Sequence, residues 1–161
     1  MAEEPHPESG RVESELERAD RNLTDLLGEL RLALPGVQVL FAFLLVVPFN
    51  QGFDHVTEFQ RKLYLGILLC AALASAFLIA PTVHHRLMFR RGDKDYLVTV
   101  SNRQAVVGLT FLAIAMVGAV VLVTDFLFGA ATTVAAGAVV LLAFLVLWYV
   151  LPLRRRASLR R

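Results

Sequence analysis

The stretch Gln104–Thr124, QAVVGLTFLAIAMVGAVVLVT, determines the fold class of this chain. It holds 21 consecutive uncharged residues between Arg103 and Asp125. A helix rises about 1.5 Å per residue and the hydrocarbon core of a bilayer is about 30 Å thick, so about 20 apolar residues can cross it. A soluble helix of this length would carry a polar face, and this stretch shows none. We therefore predict a membrane-spanning helix here.

Three more uncharged blocks flank this stretch. They comprise 22 residues between Arg31 and Asp54, 21 between Lys62 and His84, and 28 between Asp125 and Arg154. Hydrophobic residues make up 57% of the chain, above the about 45–50% apolar content of a soluble domain. The sequence predicts an all-α, four-helix transmembrane bundle with spans at about 36–49, 59–81, 104–124 and 130–153.

The positive charges predict how this bundle lies in the membrane. Of the 16 Lys and Arg residues, 14 fall before the first span, between the second and third, or after the fourth. Only Arg61 and Lys62 fall on the other side. Cytoplasmic segments of membrane proteins carry the excess of Lys and Arg. We therefore expect a protein of the plasma (inner) membrane with both termini in the cytoplasm. The basic tail, residues 154–161, is expected to contact anionic lipid there.

The segment before the first span predicts an amphipathic helix. Residues 1–13 are expected to be disordered, and the helix is expected over residues 14–34, after which Pro35-Gly36 separates it from the span. Its apolar positions recur at alternating spacings of four and three, which is a heptad seam. The seam residues include Leu16, Leu23, Leu26 and Leu30. The seam either docks on the cytoplasmic hairpin of the same chain, against Leu87, Phe89 or Leu97, or pairs with another chain.

A few polar residues are candidates for function. A coupled carrier needs an ionisable group within the bilayer, and Asp125 is the one candidate in the sequence. Its position between two spans favours a simpler role, capping the fourth helix. Gln38 and Thr110 lie inside spans and predict interhelical hydrogen bonds. Small residues spaced by four predict close helix packing. These sets are Ala72, Ala76, Ala80; Gly66, Cys70, Ala74; Ala115, Ala119; and Gly129, Thr133, Gly137.

The end of the second span carries His85, Arg86 and Arg90, which are candidates for contact with lipid phosphate or a helix end. Adjacent histidines point in different directions on a helix, and no set of metal-ligand spacings is apparent in the sequence. No nucleophile motif or phosphate-binding glycine loop is apparent either. We therefore expect no enzymatic activity, no catalytic, cofactor or metal site and no nucleic-acid binding.

Two stretches resemble a known family. They are LLGELRLALPGVQVLFAFLLVVPF at Leu26–Phe49 and EFQRKLYLGILLCAALASAFLIAPTVHHRLMFRRG at Glu58–Gly92. Both are similar to a bacterial family of small four-helix membrane proteins, a domain of unknown function. The most specific residues are Ala80, Pro81, His85, Arg86, Phe89, Arg90 and Gly92. The resemblance implies four spans and no established activity, although some members carry an automatic label of sodium:proton antiporter.

Together these patterns predict a non-enzymatic membrane protein that self-associates as a homo-oligomer or scaffolds partners through its cytoplasmic helix. The alternative is a small ion channel or a cation/proton antiporter.

Overall fold

The computed structural model describes residues 15–88 and 94–158, with the backbone alone at residues 15, 16, 19, 20, 54, 94 and 95. The predicted disordered tip, Arg90 and the end of the basic tail lie outside these ranges. The helices are α1 (Glu15–Val46), α2 (Glu58–Leu87), α3 (Lys94–Leu127), α4 (Ala130–Phe144) and α5 (Leu151–Ser158). Two 3₁₀ turns, Val47–Phe49 and Gln51–His55, join α1 to α2, and a π-helical segment, Leu145–Val150, joins α4 to α5.

Four helical segments are long and apolar enough to cross a membrane, namely Arg21–Phe49, Glu58–Leu87, Tyr96–Leu127 and Ala130–Ser158. This agrees with the number and order of the predicted spans, and the described residues are helical apart from short turns. Hydrogen bonds hold α2 and α3 in register at both ends. Gln60 meets Asp125 at one end, and His84 meets Gln104 at the other. We call these the loop end and the arm end.

The predicted break between the amphipathic helix and the first span is wrong. Helix α1 runs through Pro35 without interruption. Proline removes one backbone donor and crowds the carbonyl four residues earlier, which here belongs to Arg31. Pro35, Gly36 and Arg31 are all exposed. The Arg31 carbonyl that loses its helical donor therefore lies at the surface of the protein and is not buried unpaired. The arm, residues 15–34, is therefore the first part of the same helix as the span.

The heptad seam of the arm continues into the span. Leu23, Leu30, Val37 and Leu44 recur every seven residues and are all buried. Leu30 and Val37 pack in one cluster with Ala74 and Leu78 of α2 and with α3. The seam therefore docks within its own chain, on the bundle itself. Of the three predicted contact residues, Leu87 is wrong because its side chain is 74% exposed, Leu97 is buried, and Phe89 lies outside the described residues.

Helices α2 and α3 bury seams of the same kind. The buried residues of α2 follow spacings of four and three: Gln60, Tyr64, Ile67, Ala71, Ala74, Leu78 and Pro81. In α3 the corresponding set is Ser101, Ala105, Gly108, Leu112 and Ala115. A seven-residue repeat of small and aliphatic side chains is typical of helices that pack side by side with a shallow crossing angle. Helices α1, α2 and α3 thus share one core.

Helix α4 lies outside this core. Among the described residues its backbone packs along that of α3 and does not come close to that of α1 or α2. Thr133 and Gly137 are its buried residues. Most of its remaining surface is exposed and apolar. The predicted four-helix bundle is therefore a three-helix core with a fourth helix on one side.

Glycines allow the closest approaches between helices. A methyl group at Gly108 would lie 2.8 Å from Leu78 Cγ, and one at Gly118 would lie 2.7 Å from Ile67 Cγ1. One at Gly137 would lie 2.8 Å from Val121 Cγ2. The predicted small-residue contact of α4 is confirmed at Thr133 and Gly137. On α2, Ala74 of one predicted small-residue set is fully buried in the core, whereas Gly66 of that set and Ala76 of the other are exposed.

Proline also shapes the end of the last helix. Pro152 removes a backbone donor and its ring crowds the carbonyl of Trp148. The helix widens just before it, and the Leu151 N–H donates to the Val146 carbonyl, five residues earlier. A π-helical turn of this kind relieves the crowding. It accompanies the placement of Tyr149 against α3, described below.

Candidate functional site

The most concentrated set of polar contacts lies at the loop end, where α2 begins. Thr57 caps α2, with its hydroxyl accepting from the Gln60 N–H and the Gln60 side chain accepting from the Thr57 N–H. The same Gln60 amide donates through Nε2 to Asp125 Oδ2, at 2.8 Å. Gln60 is buried and Asp125 is half-buried. A capping box thereby orients the amide that joins α2 to the end of α3.

The predicted role of Asp125 as a cap of α4 is wrong. Asp125 lies within α3, which continues to Leu127, and α4 begins after Gly129 with no side-chain cap. The chain turns at Phe128 and Gly129 instead of over residues 125–129. Because α3 is longer than predicted, the Asp125 carboxylate points to α2 and can bind the Gln60 amide. Gln60 was missed by sequence reasoning, although its place three residues after Thr57 signals a capping box.

A second contact of the loop end compensates for a proline. Pro48 has no N–H, so the Leu44 carbonyl, four residues earlier, lacks its helical donor. The buried Tyr64 hydroxyl donates to this carbonyl at 2.7 Å. The Tyr64 ring also packs edge-on against Phe53, with centroids 5.3 Å apart. One side chain of α2 thus fixes the end of α1 and the turn that follows it.

These contacts border an open apolar pocket of about 410 Å³. Its walls come from the end of α1, the 3₁₀ turns, the start of α2 and the last turns of α3. Leu44, Phe53 and Tyr64 lie on one side, with Ala119 and Leu122 opposite. Val123, Phe126 and Leu127 are exposed and also line it. The pocket therefore opens on the apolar flank of the bundle.

At the arm end a further polar contact joins α2 to α3. His84 Nδ1 and the Gln104 side-chain amide lie 3.1–3.2 Å apart. Ser101 is fully buried, and its hydroxyl has no hydrogen-bond partner among the described residues. His85 is half-buried and Arg86 is exposed. The structure does not bring His85, Arg86 and Asp125 together, since they lie at opposite ends of the bundle. Within the described ranges, no three His, Cys, Asp or Glu residues are grouped to hold a metal ion.

The polar residues predicted inside the spans behave differently from each other. The predicted interhelical hydrogen bond of Thr110 is confirmed, because its hydroxyl lies 2.6 Å from the Tyr149 hydroxyl of the π-helical segment. Gln38 is exposed on α1 and makes no interhelical hydrogen bond to a described residue. Its prediction is wrong because the α1 seam passes through Val37, which turns Gln38 away from the core.

Comparison with known proteins gives a family. The sequence pattern of a family of unknown function, DUF6328, matches residues 12–152. The chain belongs to DUF6328. The match covers the arm and all four spans, which agrees with the resemblance found in the sequence. No curated protein and no solved structure matches the chain. DUF6328 therefore supplies a family for this fold but no activity, and the function has to be argued from the residues.

Proposed function

We propose that this chain is a non-enzymatic, multi-pass protein of the plasma (inner) membrane that self-associates through α4 and scaffolds partners at its cytoplasmic side. The observation that carries the proposal is the position of α4. Its backbone lies close to that of α3 and not to those of α1 and α2, and Ala131, Ala135 and Ala138 lie on its exposed surface. Helices in lipid associate by close packing of small side chains, because burial from water no longer drives them together. A second copy of the chain fits this face.

The arm contributes in a different way. Its apolar seam is buried in its own chain, so pairing of arms through Leu23 and Leu30 would require undocking. The outward face of the arm carries exposed charged residues of both signs, including Glu17, Arg18 and Asp25. Scaffolding is therefore assigned to this polar face, and self-association to the membrane helices.

The charge distribution supports an orientation with both termini in the cytoplasm. The exposed Arg154, Arg155 and Arg156 of α5 lie at the same end of the bundle as Arg31 and Arg103. Arginines at this level attract anionic headgroups. The loop end then faces the outside of the cell.

The intact mass of the protein in mild detergent tests self-association. We expect wild type to be an oligomer. Ala135→Leu should shift it toward monomer, because a larger side chain keeps the second helix away. Ala42→Leu is the matched control, since Ala42 is also exposed, on α1, and should leave the mass unchanged. A monomeric wild type would contradict the proposal.

The alternative function is a small ion channel or a cation/proton antiporter, with Asp125 as the ion-binding group. Transporter sites usually lie near the bilayer midplane. Asp125 lies two residues before the end of α3, bound to Gln60 in the first turn of α2. Among the described residues no Asp, Glu, Lys, Arg or His side chain is buried. These positions favour the structural role over coupled transport.

Proton flux in reconstituted vesicles distinguishes the structural role of Asp125 from coupled transport. Adding sodium or potassium should not dissipate a pH gradient across vesicles that contain wild type, and Asp125→Asn should behave in the same way. Sodium-dependent proton flux that Asp125→Asn abolishes would establish the antiporter instead.

A further inference from the structure

The loop-end pocket has the composition of a site for an amphiphile. Its walls are almost entirely apolar, and its polar lining residues are Asn50, Gln60 and Tyr64. Ligand sites of about 300–1,000 Å³ are commonly built in this way, with a few polar groups that fix orientation. At about 410 Å³ the pocket falls within this range.

The surface around the opening identifies what can enter. Val123, Phe126 and Leu127 line the pocket and are exposed on the flank of α3. In a membrane this flank faces hydrocarbon chains. An unfilled apolar pocket forgoes the dispersion contacts of its walls. A hydrocarbon chain that enters from the flank restores them.

Two charged side chains without a described ionic partner adjoin the lining residue Gln60: Asp125 is hydrogen-bonded to it, and Arg61 follows it in the chain. Gln60 is the one hydrogen-bond partner of the Asp125 carboxylate among the described residues, and no described cation pairs with it. A half-buried carboxylate without a counter-ion is costly and favours a cationic donor. Arg61, next to Gln60 in the first turn of α2, is exposed and pairs with no described carboxylate. One negative and one positive group at this level complement a zwitterion.

We propose that the loop-end pocket holds an acyl chain of an amine-headed zwitterionic phospholipid, a phosphatidylethanolamine, with its ammonium group at Asp125 and its phosphate at Arg61. A primary ammonium group has N–H donors for the carboxylate, whereas the quaternary ammonium of phosphatidylcholine has none. The site requires insertion in a bilayer but not self-association, and it is separate from the basic surface of α5.

Photo-crosslinking tests both parts of this site. The full chain is reconstituted in phosphatidylcholine vesicles that contain a trace of photoactivatable phosphatidylethanolamine or of phosphatidylcholine with the same labelled chain. We expect the ethanolamine probe to label residues 119–127 about tenfold more than the choline probe, equivalent to ~1.4 kcal/mol. Asp125→Asn keeps an acceptor for Gln60 but removes the charge, and it should make the two probes equal.

Filling the pocket tests the acyl chain. Gly52 lines the pocket, and a Cβ there would meet no atom within 4 Å. Gly52→Phe should therefore reduce labelling of residues 119–127 by both probes. Gly66→Phe is the matched control, because Gly66 also has open space around it and lies outside the pocket. If Gly52→Phe does not fold, Val123→Trp takes its place, with the exposed Val134→Trp as its control.

Three results would overturn the site. Labelling spread evenly over the exposed faces of the helices would exclude a defined pocket. Equal labelling by the two probes in wild type would exclude recognition of the amine. Retention of the preference in Asp125→Asn would exclude the carboxylate. A monomeric protein that shows the expected labelling would contradict self-association and leave this site intact, so the two proposals fail separately.

Discussion

At the scale of single residues, the Tyr64 hydroxyl compensates for the missing N–H of Pro48. It donates to the Leu44 carbonyl in the buried interface between α1 and α2. A buried carbonyl left without a donor costs about 1–3 kcal/mol. We therefore expect Tyr64→Phe to lower the free energy of unfolding in detergent by about that amount, measured by thermal or chemical denaturation.

The matched control for this prediction restores the backbone donor. In a Pro48→Ala background an alanine N–H can reach the Leu44 carbonyl, so Tyr64→Phe should cost less than it does in wild type. Equal costs in the two backgrounds would show that Tyr64 stabilises the protein through its ring contacts alone. A double-mutant cycle on these two residues measures the difference directly.

Residue-scale features were the hardest to predict from the sequence. The prolines at positions 35, 48 and 81 look alike in sequence, yet Pro48 lies in a 3₁₀ turn while Pro35 and Pro81 lie inside continuous helices. The difference depends on what surrounds each freed carbonyl, which is a tertiary property. For Pro35 the sequence did carry a signal of a continuous helix: the seven-residue spacing of buried positions passes unchanged from Leu30 to Val37.

At the scale of helices, the seam of α1 predicts that the arm is held by its apolar contacts. Leu30 is 4% exposed and Leu32 is 84% exposed, two residues apart on the same helix. We expect Leu30→Ala to destabilise the protein by about 2–5 kcal/mol, because it leaves a cavity against α2 and α3. Leu32→Ala is the matched control and should change the free energy of unfolding little. Similar effects of the two substitutions would show that the arm is not docked.

The glycine contacts give a second prediction for the helices. Gly108→Ala would place a methyl group against Leu78 and Phe77, so we expect a loss of about 1–3 kcal/mol from overpacking. Gly66→Ala adds the same methyl group in open space on α2 and should be neutral or slightly stabilising, since alanine favours helix. Unfolding of both variants in the same detergent makes the comparison. A neutral Gly108→Ala would mean that α2 and α3 can separate freely.

The spans were predictable and their pairing was not. A bilayer imposes a long uncharged stretch on each span, so composition and length alone locate them. Where all faces of a helix are apolar, the sequence does not show which face packs against the other helices. Ala76 and Gly66 of α2 are examples, since both are exposed. The arm seam could be read because its opposite face is charged. At the loop end, the alignment of Gln60 with Asp125 depends on helix register, which the sequence does not encode locally.

At the scale of the whole molecule, the 14-to-2 distribution of Lys and Arg predicts the orientation in the membrane. In a Cys70→Ser background, cysteines at Asn50 and Gly129 should react with an impermeant thiol reagent added to intact cells. Cysteines at Ser9, Gly92 and Ser158 should react only after the cells are opened. Labelling at Gly92 from outside would reverse the orientation.

The position of α4 has a consequence for biosynthesis. A chain emerges from the ribosome with its N-terminal segments first, and units that can fold alone do so before the rest follows. Helices α1, α2 and α3 bury their seams against one another without α4. The core can therefore be complete before the last span packs. Helix α4 then joins a finished surface, and a chain that ends after Leu127 should still assemble the three-helix core.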